Sequence, residues 1–552
     1  MAENYNGQCT IDVNDPIYNV FFQILDPKLN FIYRDGKKVV NVTFRSFEFI
    51  YFDVCIQIVL LKNISAKSEF DSSISSLFDW HMREGAFERL NPPWRPFYII
   101  SKKGNIDNGG TVIIKLPLIR NVNIYWYVKH KDYVKDKTFT DIQTKGIFSH
   151  WEHQHNFFDY EKKSVLEDNI KYNLPLGPVG NIFSSVIKNN LNSMFQYRHR
   201  ITRMDLETHQ MYKNSQIKNI IISGSRGFIG TALIPFLTAG GYNITRILRD
   251  RSAVSSNSEY DIAKKMYLNL SDSPSLSDSP ISNIDGNFDV IINLNGENIF
   301  GIWSKSKKQK IFESRVKFTQ NLCKKVSEMD KPPKVLISAS AIGIYGNDDN
   351  VIFSDTNELN ENENENENEN SDYLSYVCKE WEKATEIAKN AGIRVVNLRT
   401  GIVLGSSGGI LKKLMILNKL KTNVRLDSDN WLSWISLDDL SRIILFCMCN
   451  NDIHGAVNAV SPNLVKYSEF IKVLEKIWNT RLNIRLSSKI MEKVLGEMSK
   501  YTILSNTKAT PKKLVLNGFN FMLDDLEMAL RHTLGKVTKA NGKIEYSCEN
   551  TR

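Results

Sequence analysis

Two rhythms of apolar and polar positions divide the chain. From about residue 213 to about 540, short apolar runs alternate with helical patterns. The runs are Lys218 to Ser223, Asn243 to Leu248, Phe288 to Leu294, Lys334 to Ser338 and Ile393 to Leu398. Continuous apolar strands separated by helices predict a parallel sheet covered on both faces. From about residue 55 to 212 the rhythm is different. A strand (Ile56 to Leu61) leads to a short helical segment around Ile74 to Trp80. Five β-rich runs follow, at Phe97 to Lys102, Thr111 to Leu116, Asn123 to His130, Phe148 to Phe158 and Val165 to Leu174. Turn-type stretches such as GNIDNGG part them. Beyond Pro175 and the Gly177-Pro178 break, Val179, Ile182, Phe183, Val186, Ile187, Leu191, Met194 and Phe195 recur at three-to-four spacing, the mark of one long amphipathic helix. An antiparallel meander closed by such a helix implies a sheet curled around it. The space between is either filled by side chains or holds an apolar ligand.

Other segments frame these two units. Within residues 1–54, LNFIYRDGKKVVNVTF reads as a hairpin turning at Asp35-Gly36, and no function is assigned to this extension. SDSPSLSDSPIS and NENENENENEN (360–370) cannot bury apolar area and read as surface loops; a polar tail follows residue 541. Composition changes the picture little. With 552 residues, 42% hydrophobic and 24% charged, the chain has the make-up of a globular protein of two or three domains. The net charge of +10 comes from scattered pairs such as Lys324-Lys325 and Lys412-Lys413, which excludes a dense nucleic-acid footprint. Seven cysteines without a CxxC, and an N-terminus without an apolar leader, point to a reducing compartment, hence the cytoplasm. The most apolar stretch, Phe47 to Leu61, contains Asp53 and Gln57 and is too short to span a bilayer, so no integral membrane segment is expected.

The strongest chemical signal is KNIIISGSRGFIGTALIPFLTAGGYNITRILRD. An apolar strand runs into Gly224-Ser225-Arg226-Gly227-Phe228-Ile229-Gly230, and a helix follows at once. Gly224 allows the tight turn, Gly227 lets backbone approach a pyrophosphate, and Gly230 lets helix pack close to strand. The helix N-terminus offers free N–H groups to phosphate. The second strand ends at Arg249, which suits the extra phosphate of NADP rather than the ribose hydroxyls of NAD. Arg226 can help neutralise the same phosphate. NADP is therefore the expected cofactor.

Several further stretches carry a family resemblance: NLNGEN, FESRV, LISASAIGIYG, VCKEWE, LRTGIVLG, WLSWISLDDL, GAVNAVSPN and TPKKLVLNGFNF. Through them, residues 217 to about 534 resemble the extended short-chain dehydrogenase/reductases, and more narrowly the atypical "epimerase family" group of the epimerase/dehydratase superfamily. Through FDWHMREGAFERLNPPW, HWEHQHNF, YNLPLGPVG and MFQYRHR, residues from about 56 to 205 resemble the START-like helix-grip domains, which bind hydrophobic small molecules. The resemblance implies a Rossmann-type doubly wound α/β domain with a small C-terminal lobe, preceded by an α+β helix-grip domain. The implied divisions are 1–54, 55–212, 213–490, 491–540 and 541–552. It adds Leu294, Asn295, Gly296 and Arg315 to the cofactor residues, and places Ser340 in the catalytic Ser position. The helix expected to carry YxxxK reads DYLSYVCKEWEKA, with Val377 at the Tyr position and Trp381 at the Lys position.

The implied function is NADP-dependent oxidoreduction, or epimerisation, on a small hydrophobic or carbonyl substrate. The alternative is a non-catalytic NADP-sensing or ligand-carrier protein, and the absence of YxxxK disfavours a sugar-nucleotide epimerase of ordinary mechanism. Three further groups stand outside this set. Arg399 and Tyr345 lie near the expected substrate, as packing or as chemistry. Asp438-Asp439 after Ser436 opens and caps a helix. In HWEHQH only His153 and His155 share a strand face with each other, and no carboxylate or Cys partner is evident nearby. A structural or ligand-pocket role is read there, and no metal site is assigned.

Overall fold

The computed structural model describes residues 8–12, 31–34, 37–43, 61–119, 122–161, 163–175, 180, 183–248, 261–267, 287–348, 350–356, 372–419, 422–427, 429–480, 482–495, 498–499 and 505–536. Arg249, the SDSPSLSDSPIS and NENENENENEN segments, the polar tail and most of the expected strand at 56–61 lie outside them.

The parallel sheet contains the five predicted apolar runs and two further strands. Its strands are β11 (Asn219–Ser223), β12 (Asn243–Leu248), β13 (Lys264–Tyr267), β14 (Val290–Asn293), β15 (Val335–Ala341), β16 (Arg394–Thr400) and β17 (Gly455–Ala459). Their spatial order is β13-β12-β11-β14-β15-β16-β17, and every pairing is parallel. Strand residues alternate between two helix layers. Ile220, Ile222, Val290 and Ile292 face Leu233 and Phe236 of helix Phe228–Ala239, together with Ile443 of helix Leu437–Cys449. Ile221, Ile291 and Leu336 face Leu322 and Val326 of helix Phe318–Ser327. Burial on both faces is why these strands read as unbroken apolar runs. The chain order reverses between β11 and β14, which opens a crevice at their carboxyl ends.

Upstream, β1 (Gln8–Asp12), β2 (Phe31–Arg34) and β3 (Lys37–Thr43) form a small antiparallel sheet, with Arg34 opposite Lys37 as the expected hairpin requires. A second sheet of seven antiparallel strands follows. It comprises β4 (Lys62–Phe70), β5 (Tyr98–Lys103), β6 (Thr111–Ile119), β7 (Val122–Val134), β8 (Thr138–Lys145), β9 (His150–Tyr160) and β10 (Lys163–Asn173), in the order β4-β10-β9-β8-β7-β6-β5. Helices α1 (Ile74–Met82) and α2 (Ala86–Arg89) sit between β4 and β5, and the 28-residue α3 (Ser184–Met211) crosses the concave side. Four strands of the two large sheets escaped the sequence reading: β4, β8, β13 and β17. In β4 the inward positions are Ile64, Ala66, Ser68 and Phe70, so small and polar residues mute the alternation. In β8, TFTDIQTK, polar inward residues serve the site described below. The missed strand β13 is four residues long and carries two lysines.

Helix α3 belongs to three cores at once. Leu191 and Phe195 pack with Trp151, Ile170 and Tyr172 of the antiparallel sheet. Tyr197, Ile201 and Met204 pack with Leu404, Trp434 and Leu530, which come after β16 in the chain. Leu206 joins Leu77, Phe78, Trp80 and Ala239. Beside it lies a buried ion network. Arg89 donates Nε and Nη2 to the two carboxylate oxygens of Asp205, both at 2.8 Å, and Nη1 to Asp438 Oδ1 at 3.0 Å. His532 Nε2 donates to Asp438 Oδ2 at 3.0 Å. Asp439 pairs with Arg442 and accepts the backbone N–H groups of Met522 and Leu523. The expectation that Asp438-Asp439 cap their helix is thus corrected: Ser436 Oγ caps it, freeing both carboxylates for ion pairs. Among the described residues no helix is long and apolar enough to cross a membrane.

Burial alone would raise the Asp438 carboxyl, but Arg89 and His532 hold it well below the usual carboxylate range. A group with a depressed folded-state pKa stabilises the fold above its unfolded pKa, near 4 for Asp, and loses that contribution as pH falls through the lower folded value. Urea unfolding between pH 7 and pH 3 is therefore expected to show a smaller stability loss for Asp438→Asn than for the natural chain. Equal slopes would remove Asp438 from the acid response.

Candidate functional site

At the carboxyl end of β11, Gly224 takes φ +67°, and an added Cβ would stand 2.3 Å from the Leu294 carbonyl oxygen. Only glycine fits there. Gly230, in the first turn of α4 (Phe228–Ala239), is pressed on the same loop: its Cβ would lie 2.7 Å from Gly224 O and 2.8 Å from Ser225 Cα. Gly227 is the N-cap, and its N–H donates to Gly224 O at 2.9 Å. Phe228 fills the space left by Gly405 and Gly408, Ile229 packs on the sheet core, and Arg226 is exposed. Ser225 is buried and accepts from Arg246 Nε at 3.3 Å; Arg246 is itself paired with Asp261 at 2.9 Å. Sequence reading passed over Arg246, three residues before Arg249, because a strand-interior Arg carries no motif. The first N–H groups of the helix have no intrahelical partner at this turn, which suits a phosphate.

Across the crevice, Leu294, Asn295 and Gly296 follow β14. Asn295 Nδ2 donates to Ser314 O at 3.0 Å. Arg315 lies in a π-helical turn (Glu313–Lys317) after α5 (Lys305–Phe312), close enough to Gly296 that a Cβ there would meet its guanidinium carbon at 3.2 Å. It donates to Glu297 O at 3.1 Å and lies over the Trp381 ring, 5.3 Å from its centre. The structure thus brings Arg315 to the Gly296 loop and onto the residue standing at the Lys position.

Val377 and Trp381, on the helix Tyr373–Lys383 (α7, after α6 at Phe318–Ser327), are buried, and Trp381 Nε1 donates to Thr319 Oγ1 at 2.9 Å. Ser340, at the end of β15, does not meet a tyrosine. Its hydroxyl donates to Glu382 Oε1 at 2.6 Å. Glu382 is held bidentately by Arg399 at the end of β16, with Nε–Oε1 and Nη2–Oε2 both at 2.8 Å. Arg399 Nη1 donates to Tyr345 Oη at 3.0 Å, and Tyr345 donates to Asn458 Oδ1 at 2.8 Å. Burial pushes the Tyr345 phenol up against the opposing pull of Arg399, so it remains protonated at neutral pH. Burial opposes the Arg399 charge, but Glu382 holds it firmly on. The chain Ser340–Glu382–Arg399–Tyr345 sets two hydroxyls around one buried cation at the carboxyl ends of adjacent strands. Such a set can hold a substrate oxygen and stabilise charge developing on it. Glu382 was missed: its partner is 17 positions away, and the only local sign is its place beside Trp381.

A third feature lies in the antiparallel unit. A cavity of about 260 Å³ opens between the sheet, α1–α2 and α3, with walls that include Phe97, Ile114, Leu116, Trp126 and Met194. His153 and His155 share the inward face, as expected, while His150 is exposed. The expectation that no carboxylate stands near them fails, because the neighbouring strands bring Asp141 and Asp168 inward. Asp168 Oδ1 lies 3.0 Å from His153 Nε2 and 2.7 Å from His155 Nδ1, and Asp168 Oδ2 lies 2.7 Å from His199 Nε2. Burial opposes the charge on Asp168, yet the histidines hold its carboxyl well below the usual range. Against the same desolvation, Asp168 and Asp141 raise His155 to about 9, whereas burial and His155 lower His153 to about 4.

The sequence profile described as the NAD dependent epimerase/dehydratase family matches residues 220–459, and one described as a domain of unknown function (DUF1731) matches residues 488–533. The chain is 31% identical over 313 residues to the epimerase family protein YfhF of Bacillus subtilis, covering 56% of this chain and 96% of that protein. The epimerase family protein Mb2239 of Mycobacterium bovis is 32% identical over 313 residues, with coverage of 56% and 96%. Among solved structures, the nucleoside-diphosphate sugar epimerase of Corynebacterium glutamicum is similar with 27% identity and a TM-score of 0.67, covering 86% of this chain and 91% of that one. That likeness exceeds the span of the curated relatives and so takes in part of the antiparallel unit.

Removing one partner of a buried ion pair costs about 3–5 kcal/mol. Glu382→Ala, which leaves Arg399 uncompensated, is expected to lose a stability of that order in denaturant unfolding. Glu382→Gln keeps the shape and should lose less.

Proposed function

Because this chain belongs to the NAD-dependent epimerase/dehydratase family, we propose that it is an NADP-dependent oxidoreductase or epimerase-like enzyme acting on a small hydrophobic or carbonyl substrate. The carrying observation is the turn at Gly224–Gly230, where two glycines have no room for a Cβ and a helix N-terminus faces the crevice at the strand reversal. The divisions proposed are the extension 1–54, a START-like helix-grip unit at 55–212, the nucleotide-binding unit with substrate lobe at 213–490, a small C-terminal unit at 491–540 and the tail 541–552.

The glycine turn receives the pyrophosphate through backbone N–H groups. Arg249 and Arg226 receive the additional phosphate of NADP, which favours that nucleotide over NAD. Leu294, Asn295 and Gly296 border the crevice opposite the turn, with Arg315 behind them. When bound, the nicotinamide supplies a hydride acceptor or donor. Ser340 and Tyr345 hold the reacting oxygen, and Arg399 stabilises negative charge on it, with Glu382 keeping the guanidinium in place. Tyr345, already protonated, is the proton donor of this reading. The cavity of the antiparallel unit takes an apolar molecule, a role supported by its size and its aromatic walls.

A second reading rests on one observation. Val377 and Trp381 stand buried where Tyr and Lys would act, and the Ser340 hydroxyl is taken by Glu382. This favours a non-catalytic protein that senses NADP or carries the apolar ligand, and it speaks against an ordinary sugar-nucleotide epimerase.

Calorimetric titration of the full chain is expected to show NADPH binding at least tenfold tighter than NADH, about 1.4 kcal/mol. Arg249→Ala should narrow the gap, and Gly230→Ala should abolish binding of both nucleotides. If neither nucleotide binds the natural chain, the oxidoreductase reading falls. If NADPH binds and a carbonyl screen yields no hydride transfer, the non-catalytic reading replaces it. Where turnover is found, Tyr345→Phe is expected to lower kcat by about 10²–10⁴ with little change in nucleotide affinity.

A further inference from the structure

We infer that the antiparallel unit binds a divalent transition-metal ion on Asp141, His153 and His155, with an open coordination position facing the apolar cavity. These three residues each bring one ligand atom within 4.8 Å of those of the other two. His155 Nε2 lies 3.6 Å from Asp141 Oδ2. Two donors each about 2.1 Å from a tetrahedral zinc stand about 3.4 Å apart, so the observed separation admits an ion with little movement.

The surrounding residues orient this set as ligands are oriented. Histidine ligands donate their other ring nitrogen to a carboxylate, which fixes the ring and raises its basicity. Asp168 Oδ1 occupies that place for His153, 3.0 Å from its Nε2, and stands 2.7 Å from Nδ1 of His155 as a charge contact without hydrogen-bond geometry, so one nitrogen of each ring is left available. Asp168 is itself anchored by His199, whose Nδ1 meets Ser68 Oγ at 2.8 Å. His130 Nδ1 meets Asp141 Oδ1 at 2.6 Å, which fixes that carboxylate and leaves Oδ2 toward His155. The three ligands come from the paired strands β8 and β9, with Asp168 beside both rings and His130 on the Asp141 carboxylate.

Two imidazoles and one carboxylate are the donor set of catalytic zinc and of non-haem iron, both of which keep a position for an exogenous ligand. Asp141, His153 and His155 all line the cavity whose other walls include Trp126, Leu116 and Phe97. The exogenous ligand is therefore an apolar molecule that ends in an oxygen or nitrogen donor. This inference is independent of nucleotide binding in the parallel-sheet unit.

The test uses the full chain, stripped with chelator and reloaded with Co²⁺ or Zn²⁺. One ion per chain is expected, with the intense visible absorption of four- or five-coordinate Co²⁺. Zinc X-ray absorption should give only nitrogen and oxygen neighbours, at about 2.0–2.2 Å. Asp141→Asn and His153→Gln should each lose the ion, whereas His150→Gln, altered at the exposed end of the same strand, should keep it. Phenylimidazole, an apolar nitrogen donor, should shift the Co²⁺ spectrum. Circular dichroism identifies any variant that has not folded, and the spectrum of the natural chain then decides alone. Co²⁺ that stays six-coordinate as in water, or equal stoichiometry in the natural chain and folded Asp141→Asn and His153→Gln, overturns the site. A normal Co²⁺ spectrum unmoved by phenylimidazole overturns the open position.

Discussion

Arg89 is a buried guanidinium that is neutralised only when three segments of the chain meet. Asp205 on α3 takes two of its N–H groups, and Asp438, in the first turn of the helix Leu437–Cys449, takes a third. An unpaired charge at that depth costs several kcal/mol, so the antiparallel unit, α3 and the parallel-sheet unit hold one arrangement or lose the network together. Apolar packing supplies most of the attraction and is non-directional. The ion network supplies the register. Its outer members extend the same logic: His532 ties the C-terminal helix Leu526–Leu534 to Asp438, and Arg442 reaches Thr208 of α3.

The crevice carries a buried ion pair where the helix lacks the motif residues. Tyr and Lys four residues apart on one helix form a local device. Here the helix offers Val377 and Trp381, and the cation instead comes from Arg399 on a strand, clamped by Glu382. Arg399 is fixed by two parallel hydrogen bonds to one carboxylate, which holds a planar fork more rigidly than an ammonium could be held. Tyr345 and Ser340 meet opposite sides of this pair. Ser340, Arg399 and Tyr345 sit at the ends of strands or in the turn just beyond, and Glu382 reaches them from the helix Tyr373–Lys383.

What the sequence reveals depends on how far apart the interacting residues lie. The parallel strands are legible because burial on both faces leaves runs such as NIII and VIIN. The glycine turn is legible because its three constraints fall within seven residues. Helix α3 is legible from one stripe, although the reading did not foresee that its second half serves a different core. Glu382 with Arg399, Arg89 with Asp438, and His153 with Asp168 are invisible to spacing rules, since each pair meets only after strands or units assemble. The polar strand β8 was overlooked for the same reason: its inward Asp141 answers to partners on β7 and β9.

Gly85, which precedes α2, has φ +88°, and a Cβ on it would stand 2.1 Å from Thr238 Oγ1 and 2.6 Å from Pro235 O, both on the helix that begins at the glycine turn. The same residue lines the apolar cavity. The cavity wall thus packs directly on the C-terminal half of that helix. Position 85 therefore admits no side chain, and a substitution there must displace either the cavity wall or the helix Phe228–Ala239. A mutational scan would record this as intolerance at a residue that touches no ligand.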